Sequence, residues 1–239
     1  SLDASFHPGS DVSWLSGLQP DGKILVGGSF GGHLGVSGAL ARLNEDGSID
    51  ASFNPGANGM VRQVLFQQDG KILVSGYFTV VGGSSRNGLA RLYPDGSLDT
   101  AFDPGATLGT PCSRDPAGGG YGERPCAIAL QRDGKIIVGK SGFPSQADPQ
   151  MRGLKRLRAD GSLESSLDFP NCIFFGPCSV DALVVRDDGT IVVGGILDGE
   201  PPPCLSCSNA HRLLRWVNPD FSLAATGATA NGQVAALAL

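Results

Sequence analysis

A hairpin that recurs four times along the chain constrains its fold more than any other feature. It reads Gln19-Pro20-Asp21-Gly22-Lys23-Ile24-Leu25-Val26-Gly27-Gly28, then Gln68-Asp69-Gly70-Lys71-Ile72-Leu73-Val74-Ser75-Gly76. It returns as Arg132-Asp133-Gly134-Lys135-Ile136-Ile137-Val138-Gly139 and as Asp187-Asp188-Gly189-Thr190-Ile191-Val192-Val193-Gly194-Gly195. A chain built on one repeated supersecondary unit cannot bury the apolar face of any single unit alone. It must stack its units.

One repeat is readable residue by residue. Val12 to Leu18 alternates into a first strand, A, and Pro20-Asp21-Gly22 makes a three-residue turn in which Pro presets φ and Gly takes the left-handed position. Lys23 to Gly28 is strand B, an apolar run. A Gly-rich loop leads to strand C, Ala39 to Asn44, and the turn Glu45-Asp46-Gly47 leads to strand D, Ser48 to Phe53. Repeats of about 45–50 residues with four short strands predict propeller blades. The expected fold is all-β, a β-propeller of four-stranded blades, as a single domain over residues 1–239. Four full repeats fall at about 10–56, 59–105, 126–169 and 179–225, and orphan strands at 1–6 and 233–239 form a fifth, partial unit. Orphan strands at both ends lead us to expect a segment of a longer array, which would also have lost any leader peptide.

Composition narrows the function classes. The 18 basic and 23 acidic residues give a formal charge of −5 without a run of like charge, which speaks against nucleic acid and anionic membranes as partners. No apolar segment approaches the roughly 18 residues that span a bilayer. The 36 glycines and 16 prolines favour turns over long helices.

The six cysteines stand as Cys112/Cys126, Cys172/Cys178 and Cys204/Cys207, in Gly- or Pro-rich inserts outside the repeated hairpins. Local pairs of this kind read as disulfides of an oxidising compartment, and closing the first could contribute up to about 3 kcal/mol. Asn-x-Ser/Thr sequons are absent, which leans to a bacterial secreted protein. Zinc is the competing reading for Cys204, Cys207 and His211. It needs a fourth ligand from Cys172, Cys178 or His33, so the disulfide is preferred and no metal or other cofactor is expected.

Comparing the repeats isolates one charged pattern. With a three-residue turn between C and D, Arg42 faces Asp50, Arg91 faces Asp99 and Arg156 faces Glu164. In the fourth repeat Trp216 and Ala224 take these places, so both charges vanish together. The joint loss predicts a cross-strand ion pair with a structural role, about 0.2–1 kcal/mol each if exposed. The turn aspartates offer too few oxygens for calcium. Three histidines without a recognisable nucleophile carry no enzyme reading.

Strand A, the Gln-Pro-Asp-Gly-Lys-Ile-Leu-Val-Gly-Gly run, and Leu-Ala-Arg-Leu-Asn-x-Asp-Gly-Ser-Ile-Asp-x-Ser-Phe together resemble the bacterial delta-60 repeat family. Repeats one and two match best and repeat three well. Repeat four matches loosely, lacking the Arg/Asp pair and the second Asp-Gly. The resemblance implies a propeller-like module of large exported or cell-surface proteins, often beside adhesion-type domains, and no catalytic residues. The expected function is thus structural or adhesive, with other subunits or neighbouring domains as partners. The alternative is a carbohydrate- or protein-binding propeller whose recognition face uses Tyr121, Phe174, Phe175, Pro202 and Trp216 on and beside the inserts. A propeller hydrolase or lyase is the third, weakest reading.

Overall fold

The Asp-Gly turns build what the sequence pattern promises. In the first, Gly22 donates to the Gln19 carbonyl at 3.0 Å, Gln19 donates to Lys23 O at 2.8 Å, and Gly22 sits at φ 83°. Asp21 adds a bond from the Lys23 amide at 3.2 Å. Equivalent bonds close the turns at Gly47, Gly70, Gly96, Gly134, Gly161 and Gly189. The computed structural model describes residues 14–27, 40–104, 127–140, 153–169, 179–198 and 211–230. The described residues form strands, bridges and turns, and none is helical.

The chain divides into two compact bodies, Ser1–Gly105 and Ala106–Leu239. In the N-terminal body, β1 (Trp14–Leu18), β2 (Ile24–Gly27) and β3 (Leu40–Leu43) form one antiparallel sheet in chain order. A second sheet runs β4 (Val61–Phe66), β5 (Ile72–Gly76), β8 (Leu89–Leu92). Between β5 and β8 lies a small hairpin, β6 (Val80–Val81) and β7 (Ser84–Ser85), turned by Gly82 and Gly83 at positive φ. In the C-terminal body, β9 (Ile128–Leu130), β10 (Ile136–Lys140), β11 (Gly153–Leu157) and β12 (Leu163–Leu167) form a four-stranded sheet. So do β13 (Ser179–Val185), β14 (Ile191–Asp198), β15 (His211–Val217) and β16 (Leu223–Ala230).

Strands β3, β5 and β8 are buried at every residue, and for that reason their apolar runs do not alternate. Each central sheet has two apolar faces. In the first repeat Leu25 and Leu40 enter a core shared with Ile72, Val74, Ala90 and Leu92 of the second. Val26, Ala41 and Leu43 pack on the opposite side with Ile24 and Ile49. In the C-terminal body Ile137 and Leu154 meet Ile191, Val193 and Val217 in the same way. The face a sheet turns to the next repeat is termed here its trailing face.

The fourth strand differs from the expected one. In repeats one and two, strand D shrinks to single bridges, Leu43 to Ile49 and Leu92 to Leu98. The cause is the residue that follows. Asp50 Oδ1 accepts from the Ser52 amide at 3.0 Å and from the Ser52 hydroxyl at 2.5 Å, and Phe53 N closes back on Asp50 O at 3.1 Å. This local turn competes successfully with the ladder and tucks Phe53 into the core, fully buried. Asp99 does the same for Ala101 and Phe102. In repeat three the carboxylate is Glu164, one methylene longer, which makes no such turn. There the chain runs on as β12, with Ser165 opposite Arg156 and Leu167 opposite Leu154.

Candidate functional site

Three charged clusters recur at one place on the repeated sheets. Each begins with the residue after the A/B turn glycine. Lys23 Nζ lies 2.6 Å from Asp50 Oδ2, and Arg42 Nε donates to the same oxygen at 2.9 Å. Lys71 and Arg91 approach Asp99 Oδ2 at 3.4 and 2.8 Å. Lys135 and Arg156 approach Glu164 at 3.1 and 2.7 Å, through different oxygens. The Arg/carboxylate pairs form in all three repeats, although in the third a bulge puts Ser165 rather than Glu164 directly opposite Arg156, and the lysine makes each pair a triad.

These pairs are buried in the first two repeats, contrary to the exposed case considered from sequence. Arg42 and Asp50 keep 7% and 9% of their side-chain surface, and Asp99 only 2%. Glu164 keeps 22%, so the third triad is the most solvated. The Lys23 ammonium, then the Ser52 hydroxyl, the Ser52 amide and Arg42 hold the Asp50 carboxyl far below the ordinary aspartate range, against the opposing effect of burial. Burial pushes Asp99 up, but bonding and charge from Arg91, with help from Ala101 and Lys71, carry it below the usual value. Glu164 is lowered chiefly by Lys135, whose own pKa it raises in turn. Carboxylates so held stay ionised and are poor proton donors.

Every triad arginine also covers an aromatic ring. Arg42 lies 4.6 Å from the Phe53 centroid and Arg91 4.5 Å from that of Phe102. Arg156 lies 4.6 Å from the ring of Phe221, which belongs to the fourth repeat. The guanidinium reaches further, to the C/D turn of the following repeat. Arg42 Nη1 donates to Pro94 O at 2.7 Å, and Arg156 Nη1 to Pro219 O at 3.1 Å. One side chain thus neutralises a carboxylate, stacks on a ring and ties two sheets together.

The fourth repeat carries none of this. The register aligns Val217 with Leu223, as it aligns Leu157 with Leu163, so Trp216 and Ala224 do hold the arginine and carboxylate places. Thr190 stands where the lysines stand. Trp216 is half-buried on β15, its backbone opposite Val192 on the trailing side of the sheet. The lysines and rings were missed by sequence reasoning. For the lysines the signal was present, since the lysine gives way to Thr190 in the same repeat that loses the other two charges. Cys112, Cys126, Cys172, Cys178, Cys204 and Cys207 lie outside the described residues, as do Tyr121, Phe174, Phe175, Pro202 and the end segments 1–6 and 233–239. Among the described residues no group of three or more metal-ligating side chains comes together, and no helix is long and apolar enough to cross a membrane.

Residues 19–53, 67–102 and 131–167 match a family model described as a domain of unknown function (DUF5122) β-propeller. The matched stretches are a little under half of the chain. Each runs from the glutamine before the A/B turn to the position of Phe53, Phe102 or Leu167, and each contains one triad. Among solved structures the chain is similar to a glucose dehydrogenase, with 15% identity and a TM-score of 0.45, over 87% of this chain and 59% of that one. It is also similar to the extracellular domain of a putative hybrid two-component system from B. thetaiotaomicron, with 13% identity and a TM-score of 0.43, over 87% and 26%. The chain therefore spans less than two thirds of either structure. A comparison with curated protein sequences returns no match.

Proposed function

We propose that this chain is a non-enzymatic β-propeller module of an exported bacterial protein, with its sheets as blades and a structural or adhesive role in a surface assembly. One observation carries the reading: the ionisable side chains of the triads are spent on one another, and Arg42 and Arg156 also hold sheet to sheet. Lys23, Asp50 and Arg42 bond one another, and Arg42 continues to Pro94 of the next repeat. A general acid needs a carboxyl with a raised pKa, whereas Asp50, Asp99 and Glu164 are all lowered. The partners are other subunits or neighbouring domains.

A second reading is a glycan- or protein-binding propeller. It is favoured by Trp216, an aromatic side chain on a sheet face from which all three triad charges are gone. Tyr121, Phe174, Phe175 and Pro202 of the inserts would complete that face.

Two measurements on the purified chain separate the readings. Sedimentation velocity over a range of concentrations is expected to show self-association, with no retention on a glycan array. Glycan retention that disappears in Trp216→Ala, with a monomer at every concentration, would replace the first reading by the second. Export is tested by intact mass with and without reductant, where three disulfides add about six hydrogens on reduction. Free thiols with stoichiometric zinc would refute export.

A further inference from the structure

The ring beneath the arginine comes from two different places, and the two are mutually exclusive. In the first repeat it is Phe53, placed by the Asp50 turn, and it lies against the C/D turn of the second repeat. A β-carbon at Gly96 of that turn would come within 2.7 Å of the Phe53 ring, so the ring and any side chain at Gly96 compete for one space. In the third repeat the residue equivalent to Phe53 is Leu167, which runs on in β12 and leaves no ring under Arg156. The fourth repeat supplies one. Its turn Asn218-Pro219-Asp220-Phe221-Ser222 closes with the same bonds as Tyr93-Pro94-Asp95-Gly96-Ser97, but carries Phe221 in place of glycine.

Phe221 takes φ 70°, the one positive φ on a non-glycine among the described residues. Such a conformation costs about 1–2 kcal/mol, and a glycine would avoid it. Yet the residue is only 7% exposed, and its ring lies under Arg156 and joins the core of the third and fourth repeats.

We infer that this ring is the element by which the trailing face of one repeat selects the turn of the next, and that the faces are of two kinds. A face that places its own ring under the arginine accepts a turn with glycine in the left-handed position. The third face, whose own Phe169 joins the shared core while Phe221 lies under Arg156, accepts a turn with phenylalanine there. Within each body the rule holds: Gly96 follows Phe53, and Phe221 follows Leu167. Neighbouring repeats are therefore not interchangeable, and the partner that fits each trailing face is specified by one turn residue.

The test is a transplant in the full chain, read by urea unfolding and by amide hydrogen exchange in β11 and β15. Phe221→Gly alone leaves Arg156 without a ring and is expected to raise the opening constant of these strands roughly tenfold, the lost stack and burial outweighing the relieved φ. Glu164→Asp with Leu167→Phe sets a second ring against Phe221 and is expected to do the same by crowding. All three changes together convert the third face and fourth turn to the first kind, and the opening constant should return to within about threefold of the parent. If the triple variant opens as readily as the product of its two halves, the ring is not read across the repeats and the inference fails. Should the triple variant not fold, Phe221→Leu alone and in combination with Arg156→Met decides. Independent effects of the two changes overturn the inference, and effects that overlap support it.

Discussion

The ring of Phe53 fills the space in front of Gly96, leaving 2.7 Å between its Cδ2 and a β-carbon added there. The same turn position has φ +92°, so an alanine would meet both a strained backbone and an immovable neighbour. Gly83, in the hairpin of β6 and β7, has φ +75° and nothing within 4 Å. Gly83→Ala should therefore cost about 1 kcal/mol, the backbone strain alone. Gly96→Ala should cost about 2–4 kcal/mol, because overpacking adds to the strain. Urea unfolding of the two variants gives the comparison, and equal costs would mean that Phe53 yields.

Removing the acid of a triad should hurt in proportion to how dry it is. Asp99→Ala takes the carboxylate away from the buried Arg91 and should cost about 3–5 kcal/mol. Glu164, at 22% exposure, should lose much less on the same change, because water screens the cations left behind. Hydrogen exchange resolved to β8 and β11 reads the two losses separately. A reversed order would contradict the burial argument.

Asp50→Glu keeps the charge and removes the turn. The longer side chain can still meet Lys23 and Arg42 but loses the two bonds to Ser52, a cost of about 1–2 kcal/mol. Faster exchange at the Ser52 and Phe53 amides, with β2 and β3 little changed, is the expected pattern. Unaltered protection at Phe53 would show that the turn does not depend on the aspartate.

Acid should weaken the N-terminal body through these same carboxylates. Both Asp50 and Asp99 are lowered in the fold, so the unfolded chain binds protons first as the pH falls. Their contribution is complete above the unfolded aspartate pKa of about 3.9 and declines below it, towards the lower folded values. Asp50→Asn with Asp99→Asn should be less stable at neutral pH and show a flatter dependence between about pH 4 and 2. Parallel curves for variant and parent would place the acid sensitivity elsewhere.

The sequence made the turns and central strands legible because Asp21-Gly22 and its copies have one favourable geometry, and because Ile72 to Gly76 is apolar throughout. The Arg42/Asp50 pair was legible through its absence at Trp216 and Ala224. Strand D was misread for a physical reason: Ser48 to Phe53 alternates like a strand, yet Asp50 is short enough to bond its own chain two residues on. The exchange of Phe53 for Phe221 was not legible. It depends on which side of a shared space supplies the ring, and no single repeat contains both sides.

The difference between Asp50 and Glu164 also decides how each sheet ends. Where aspartate turns the chain, the outermost strand of the described sheet is cut to one bridge, and little ladder is left for another backbone to copy. Where it is absent, β12 and β16 continue for five and eight residues as the outermost strands of their sheets among the described residues. On that side of the sheet such a strand offers an extended segment a longer row of amides and carbonyls than a single bridge does. At Asp50 and Glu164 a single methylene in a carboxylate side chain thus separates a fourth strand cut to one bridge from one that runs for five residues.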